Sequence, residues 1–231
     1  MNNTKIKTIG MVVAMEKEVK PFLDNIGTLA MRLKHGDFEV YGYNAEDKQV
    51  FLVQSGIGEI SAAAATQLLI TKYGAEIILN FGVCGGLVKS KKVFDTVIVN
   101  GVVHYDFDLS PIDNVPPAQY PNYDSPVIKA DFDLISVAKK AMPNAELVIC
   151  ASADKFVTDE KIKERLHKEF SASVCDMECA GVLITANLND VPVLIVKAVS
   201  DSEGGAEEFS KCVHKAATEY VDAFVQILKE F

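Results

Sequence analysis

Acidic side chains follow three of the predicted β-strands, at the points where those strands end. Glu18 comes just after the first strand, Asp201 just after the last, and Glu178 after the apolar run that ends in Cys175-Asp176-Met177. An ionised side chain at the end of a buried strand is costly unless it is paired or used, and α/β proteins build ligand sites at strand ends. The three carboxylates therefore indicate an enzyme with a polar cleft. The alternative is that each one caps the helix that follows it.

Two glycine-containing segments also follow predicted strands. They are Ser55-Gly56-Ile57-Gly58 and Gly82-Val83-Cys84-Gly85-Gly86. Glycines at such positions let backbone amides approach a ligand closely. Neither segment has the spacing of a dinucleotide-binding fingerprint or of a P-loop, so neither identifies its ligand by itself.

The elements that must position these residues alternate between β-branched apolar runs and amphipathic stretches. Strands are predicted over 7–14, 38–43, 49–54, 77–81, 96–102, 147–150, 173–177 and 193–200, and helices over 16–26, 60–72, 132–141, 161–169, 178–188 and 206–229. The strands at 38–43 and 49–54 are close enough to pair as a hairpin, so the predicted sheet is mixed. With no internal repeat and no low-complexity linker, the sequence predicts a single α/β domain over 1–231.

The segment 108–126 differs from the rest of the chain. It contains five of the eight prolines, together with Tyr120 and Tyr123. A segment so rich in proline cannot form a regular element. A long aromatic loop of this kind usually forms a pocket wall or a subunit contact; a plain surface excursion is the alternative.

The composition excludes several classes of partner. The net charge is −9, and the longest basic run is Lys89-Ser90-Lys91-Lys92, which argues against a surface for nucleic acid or anionic membrane. No apolar stretch approaches the length of a membrane span. Residues 1–5 lack the features of a signal peptide.

The cysteine pattern predicts reduced core thiols in a cytoplasmic protein. The number of cysteines is odd, and several of the five lie inside apolar runs. Cys175 and Cys179 are four residues apart, but no further His or Cys lies near them in the sequence. We therefore expect no metal site.

Several separated motifs occur in an order that resembles one enzyme family over nearly the whole chain. They are Ala14-Met15-Glu16-x-Glu18-Val19, Ser55-Gly56-Ile57-Gly58, Gly82-x-x-Gly85-Gly86-Leu87, Asp154-x-Phe156-Val157, Met177-Glu178 and Ser200-Asp201. This set resembles the 5′-methylthioadenosine/S-adenosylhomocysteine nucleosidases of the purine nucleoside phosphorylase-like superfamily. The resemblance implies a three-layer α/β/α fold with a central mixed sheet. It also implies a homodimer that needs no cofactor.

The resemblance assigns the chemistry to two carboxylates. Glu18 matches the base that activates the attacking water, and Asp201 matches the acid that protonates N7 of the departing adenine, with Ser200 positioning it. Breaking a nucleoside C–N bond builds positive charge on the ribose and negative charge on the base, so an acid and an opposed base suit the reaction. To donate a proton, Asp201 must have a pKa raised by its surroundings.

The same resemblance assigns substrate contacts. Glu178 would hold the ribose hydroxyls, with Met177 packed against the sugar. Phe156 would stack on the purine, and the backbone of Val157 would read its edge. Gln119-Tyr120-Pro121 resembles a loop that reaches the pocket for the 5′-substituent, often across a dimer interface.

Two residues depart from the family pattern near the expected water or anion site, beside Gly85 in the glycine-rich segment. Val83 stands where the family usually has a hydroxyl residue, and Lys197 where it has an arginine. Val83 removes a donor, and Lys197 lacks the planar guanidinium fork. Asn80 stands near an arginine position of the phosphorylases. A phosphate dianion would therefore lack donors.

We expect an N-ribosyl hydrolase that cleaves 5′-modified adenine nucleosides to adenine and the thioribose product. The substrate is then a small nucleoside, and neither nucleic acid nor membrane is a partner. A purine or pyrimidine nucleoside phosphorylase is the first alternative, because Lys197 could still bind phosphate. A nucleoside-binding or storage protein without activity is the second, and the intact acids Glu18, Glu178 and Asp201 argue against it.

Overall fold

Ten strands form one mixed β-sheet in the computed structural model, which describes residues 6–26, 29–45 and 47–231. The elements are β1 (Thr8–Val13), α1 (Glu16–Asn25), β2 (Leu29–His35), β3 (Phe38–Ala45), β4 (Lys48–Gln54), α2 (Glu59–Tyr73), β5 (Ile77–Gly86), β6 (Thr96–His104), β7 (Val127–Lys129), α3 (Phe132–Ala141), β8 (Glu146–Ser152), α4 (Glu160–Phe170), β9 (Ala172–Asp176), α5 (Cys179–Asn187), β10 (Val193–Asp201) and α6 (Gly205–Glu230). Residues 1–5, which were predicted to lack the features of a signal peptide, lie outside the described residues.

The strand order explains both the mixed character of the sheet and the position of the site. β1 lies between β4 and β5, and β5 pairs with β10; these three pairings are parallel. The predicted hairpin of β3 and β4 is confirmed as an antiparallel pair. Because β5 also pairs with β9, the strands β5, β10, β6, β8 and β9 close into a ring. The ends of β1, β5, β9 and β10 therefore meet at one place.

Helices cover both faces of the sheet, which confirms the predicted three-layer arrangement. On one face, α1, α3 and α6 contribute to a core that includes Phe22, Leu134 and Tyr220. On the other, α2 and α5 contribute to a second core that includes Leu69 and Val182. Within the described ranges, no helix combines the length and the apolar character that a bilayer span requires.

The sequence missed two strands and shortened a third. β2 is an edge strand whose Leu29 and Leu33 are exposed, so it lacks the alternation of a half-buried strand. β7 has three residues only. β5 was predicted to end at Phe81 but continues to Gly86, because β10 and β9 pair with its glycine-rich part. The glycine-rich segment 82–86, which was expected to follow the strand, is therefore part of it.

Glycine is required in that part of β5 because carboxylates lie against its backbone. A Cβ atom on Gly82 would lie 2.9 Å from Oε1 of Glu18, and one on Gly85 would lie 3.3 Å from Oδ2 of Asp201. A side chain at Gly82 would displace the Glu18 carboxyl. The strand thus brings its backbone within reach of both acids.

An aromatic cluster fixes α1, the helix that carries Glu18. The ring of Phe22 packs against Phe81 at 5.6 Å, against Tyr220 at 5.3 Å and against Phe224 at 5.4 Å. The Tyr220 hydroxyl also donates to the backbone carbonyl of Glu18 at 3.3 Å. The terminal helix α6 thereby holds the start of α1 against the sheet.

We expect Phe22→Ala to lower the free energy of unfolding by about 3–5 kcal/mol, because it removes the buried ring at the centre of this cluster. The measurement is urea unfolding followed by circular dichroism. Phe132→Ala is the matched control, since the Phe132 side chain is 78% exposed. Equal losses in the two variants would contradict the assigned role of the cluster.

Candidate active site

The converging strand ends enclose a cavity of about 310 Å³. All of the predicted site residues except Lys197 line it: Glu18, Val83, Gly85, Phe156, Val157, Met177, Glu178, Ser200 and Asp201. The other lining residues are Met15, Ile57, Cys84, Lys155, Cys175, Asp176 and Phe209. The structure therefore brings together acids that lie up to 183 positions apart in the sequence, from Glu18 to Asp201 (201 − 18).

The carboxyl group of Glu18 is held by two backbone amides. Val83 N–H donates to Oε1 at 2.7 Å, and Met15 N–H donates to Oε2 at 2.9 Å. Burial raises the pKa of Glu18, while the Lys197 ammonium and the two amides partly offset that rise. The result is a fixed carboxyl group whose proton affinity is higher than usual, as a base requires.

Asp201 lines the same cavity, and among the described residues its carboxyl group has one side-chain donor. Ser200 Oγ donates to its Oδ1 at 2.8 Å and also lies 3.3 Å from the carbonyl of Cys84. Burial raises the pKa of Asp201 to about 6, although the Ser200 hydrogen bond lowers it. Oδ2 has no hydrogen bond among the described residues. A carboxyl group with a raised pKa and one free oxygen can donate a proton to a bound base.

The carboxyl group of Glu178 is held by the turn that precedes α2. Gly58 N–H donates to Glu178 Oε1 at 3.0 Å, from a turn in which Gly58 has a φ of 102°. Burial and the nearby Asp176 charge raise the pKa of Glu178 to about 8. With one oxygen held, the other can reach a hydroxyl group in the cavity. Met177 lines the cavity beside it.

Lys197 lies beneath the cavity, where it forms an ion pair that the sequence did not reveal. Its Nζ is 2.8 Å from Asp176 Oδ2, and both side chains are almost fully buried. Burial would lower the pKa of Lys197, but Asp176 raises it well above its ordinary value. Burial would likewise raise the pKa of Asp176, but Lys197 and further hydrogen bonds keep it below its ordinary value. Both groups are therefore charged.

An apolar wall completes the cavity. The ring of Phe156, which is 45% exposed, meets Phe209 of α6 edge to face at 5.4 Å. Met15 and Ile57 line the same space. Met15, Ile57 and Phe209 were not among the site residues predicted from the sequence. Met15 and Ile57 lie inside the quoted motifs, whereas Phe209 follows only the amphipathic pattern of its helix.

The proline-rich segment 108–126 contains no helix or strand, as predicted, and does not line the cavity of its own chain. The Tyr120 ring stacks on Phe107 at 3.8 Å, and its hydroxyl lies 2.7 Å from His104 Nδ1. The segment is therefore packed in a defined way against the end of β6.

The buried thiols do not form a favourable metal site. Cys150, Asp176 and Cys179 bring one ligand atom each within 4.8 Å of one another. Burial raises the pKa of both thiols, to about 11 for Cys179, and Asp176 is already paired with Lys197. A metal ion would need deprotonated thiols and a free carboxylate.

Comparison with known proteins places this arrangement in a family. A model of the phosphorylase superfamily matches residues 8–231. The chain belongs to the phosphorylase superfamily. A superfamily member from Hydrogenovibrio crunogenus, a 5′-methylthioadenosine/S-adenosylhomocysteine nucleosidase, is 30% identical over 228 residues, which cover 95% of this chain and 97% of the relative. The predicted family is thereby confirmed.

Two further superfamily members illustrate the range of relatives. An aminodeoxyfutalosine nucleosidase from Campylobacter jejuni is 27% identical over 87% of this chain and 88% of its own length. The crystal structure of a mutant 5′-methylthioadenosine/S-adenosylhomocysteine nucleosidase from Helicobacter pylori, with 5′-methylthioadenosine in its active site, superposes with a TM-score of 0.92. It is 27% identical and covers 99% of this chain and 100% of that one.

We expect Lys197→Met to lower the free energy of unfolding by about 3–5 kcal/mol, because it leaves the Asp176 charge buried without its partner. Adding Asp176→Asn should recover part of this loss, which urea unfolding of the two variants would measure. Lys211→Met is the matched control. Its ion pair with Glu207 is exposed and is worth less than about 1 kcal/mol. A loss no larger than that of the control would show that the buried pair is not charged.

Proposed function

We propose that the protein is an N-ribosyl hydrolase that cleaves the glycosidic bond of 5′-modified adenine nucleosides such as 5′-methylthioadenosine and S-adenosylhomocysteine. The products are adenine and the corresponding thioribose. The observation that carries this proposal is the presence of Glu18 and Asp201 in the lining of one cavity, each with a raised pKa and each oriented by hydrogen bonds. One domain over 1–231 would contain the whole site.

The reaction needs one proton removed and one proton supplied. Glu18 takes a proton from the attacking water, and Asp201 donates a proton to N7 of the departing adenine, which would otherwise leave with a negative charge. The Ser200 hydroxyl keeps Asp201 oriented and stabilises its carboxylate after transfer. The bond breaks without a change in oxidation state, so the reaction needs no redox cofactor.

The polar part of the cavity would bind the ribose, and its apolar parts would bind the purine and the 5′-substituent. The free oxygen of Glu178 would accept from the ribose hydroxyls, with Met177 against the sugar. Phe156 would stack on the purine while the Val157 backbone reads its edge. The apolar wall of Met15, Ile57 and Phe209 suits an uncharged thioether at the 5′ position, in line with the ligand in the Helicobacter pylori relative.

The site favours water over phosphate as the nucleophile. Phosphate needs several directed donors, whereas Val83 offers no side-chain donor beside Glu18. The ammonium of Lys197 is already neutralised by Asp176. The Asn80 amide is buried and donates to the Val12 carbonyl at 3.1 Å. These three observations support hydrolysis against the phosphorylase alternative.

A homodimer in the cytoplasm is also part of the proposal. Ile57, Ile60, Ile112 and Leu188 are large apolar side chains that are more than half exposed. Ile57 also lines the cavity, so a second copy that covered it would help to close the site. All five cysteines are free thiols, which suits a reducing compartment.

The first test is product analysis by mass spectrometry after incubation with 5′-methylthioadenosine, in buffers with and without phosphate. We expect adenine and free methylthioribose in both buffers, at equal rates, because the site lacks donors for phosphate. A sugar phosphate would establish a phosphorylase, and binding without turnover would establish a storage protein. Aminodeoxyfutalosine should be assayed in parallel because of the Campylobacter jejuni relative.

The second test separates the roles of two acids on α1. We expect Glu18→Gln to lower kcat by about 10²–10⁴-fold, because an amide cannot accept the proton of water. Glu16→Gln is the matched control, since Glu16 is exposed and does not line the cavity. Steady-state kinetics would contradict the assignment if Glu18→Gln kept its activity while Glu16→Gln lost it.

A further inference from the structure

Glu59 is a buried acid next to the cavity for which the proposed mechanism has no use. It is the first residue of α2, and it is 7% exposed without lining the cavity. Its backbone N–H donates to Asp154 Oδ1 at 2.8 Å. The residue before it, Gly58, is the one that holds the Glu178 carboxyl. The position of Glu59 is thus tied directly to the cavity.

The Glu59 side chain belongs to a chain of buried hydrogen bonds. Ser152 Oγ lies 2.5 Å from Glu59 Oε1 and 2.6 Å from Asp176 Oδ1. The backbone N–H of Ala180 donates to the same Ser152 oxygen at 3.1 Å, and that of Gly181 donates to Glu59 Oε2. The Ser152 hydroxyl therefore lies between two carboxyl groups.

The Ser152 hydroxyl has one hydrogen for two carboxyl groups, so either Glu59 or Asp176 must carry a proton. A hydroxyl group has a single hydrogen to donate, and an ionised carboxylate can only accept. If Glu59 and Asp176 were both ionised, one of the two short contacts to Ser152 would join two acceptors with no hydrogen between them. A neutral partner removes the conflict, because its O–H donates to Ser152 while Ser152 donates to the other carboxylate.

The surrounding donors place this proton on Glu59. Asp176 already faces the Lys197 ammonium at 2.8 Å and the backbone N–H of Cys179 at 3.1 Å, both of which favour its ionised form. Among the described residues, the Glu59 carboxyl group accepts only from the Gly181 amide besides its contact with Ser152. In agreement, burial and the Asp176 charge raise the pKa of Glu59 to about 7.

We propose that Glu59 is a positioning residue for the site: its proton, donated to Ser152, leaves Asp176 as the charged partner that holds Lys197 beside Glu18. This inference rests on the proposed function. The titratable groups that face Glu59 are Asp176 of β9, Asp154 after β8 and Tyr120 of the segment 108–126. When Glu59 loses its proton, its negative charge repels the carboxyl groups of Asp176 and Asp154. That repulsion weakens the ion pair between Asp176 and Lys197 beside Glu18.

The pH dependence of stability follows from the raised pKa of Glu59. The pKa of Glu59 rises from 4.5 to about 7 on folding. The folded state therefore keeps a proton that the unfolded state releases, so this contribution to stability is complete below about pH 4.5 and is lost as the pH rises through about 7. Activity that depends on the protonated form falls over the upper part of the same range.

Glu59→Gln is the decisive variant, because its amide N–H can donate to Ser152 and its oxygen can accept from Gly181 at every pH. The matched control is Glu169→Gln, the same chemical change at an exposed position of α4. Two profiles are measured for the whole protein between about pH 4.5 and about pH 8.5. They are the thermal midpoint Tm and kcat/KM for 5′-methylthioadenosine.

We expect the Tm of the wild type and of Glu169→Gln to fall more steeply with rising pH than that of Glu59→Gln. We also expect Glu59→Gln to keep kcat/KM within about threefold of the wild type near pH 6 and to exceed it near pH 8, because its hydrogen bond to Ser152 does not titrate. Profiles of Glu59→Gln that follow the wild type would overturn the proposal, as would a large loss of kcat/KM near pH 6.

The two proposals can fail separately. If the wild type cleaves no adenine nucleoside, the proposed function is wrong, and the Tm profiles still decide whether Glu59 holds the proton. If cleavage is observed and the Tm profiles of Glu59→Gln and wild type coincide, the proposed function stands and the role of Glu59 is rejected.

Discussion

The buried ion pair between Lys197 and Asp176 sets the electrostatics of the whole site. The carboxyl groups of Glu18, Glu59 and Glu178 each lie close enough to Asp176 for its charge to raise their pKa values, in addition to the larger effect of burial. Such a concentration of acid would be unstable if every group were ionised. Lys197 stabilises the negative charge of Asp176. Burial raises the pKa values of Glu18, Glu59 and Glu178, which therefore bind protons more tightly than exposed glutamates do.

Much of the site was predictable from sequence because strand ends carry a local signal. Glu18, Glu178 and Asp201 each follow an apolar run, and the structure places all three around one cavity. An amphipathic helix was equally predictable; the helix predicted over 132–141 has the bounds that the structure gives to α3. In both cases the information lies within a few consecutive residues.

Features that depend on contacts between distant segments were not predictable in this way. Nothing in the neighbourhood of Lys197 shows that Asp176 is its partner, because the pairing arises from the ring closed by β5, β9 and β10. The extension of β5 to Gly86 has the same origin, since glycines weaken the local strand signal and cross-strand pairing restores it. Phe209 reaches the cavity only because α6 starts beside Asp201.

The carboxyl groups proposed for proton transfer and the apolar wall of the cavity lie on different segments of the chain. Asp201 ends β10, which pairs with β5 on one side and β6 on the other, and Glu18 lies in the first turn of α1, where two backbone amides hold its carboxyl group. Ile57 and Phe209 lie elsewhere, on the turn before α2 and near the start of α6. Substitutions at Ile57 and Phe209 would therefore reshape the apolar wall and leave the hydrogen bonds that hold Glu18 and Asp201 intact, so the group accepted beside that wall can change without loss of either carboxyl group.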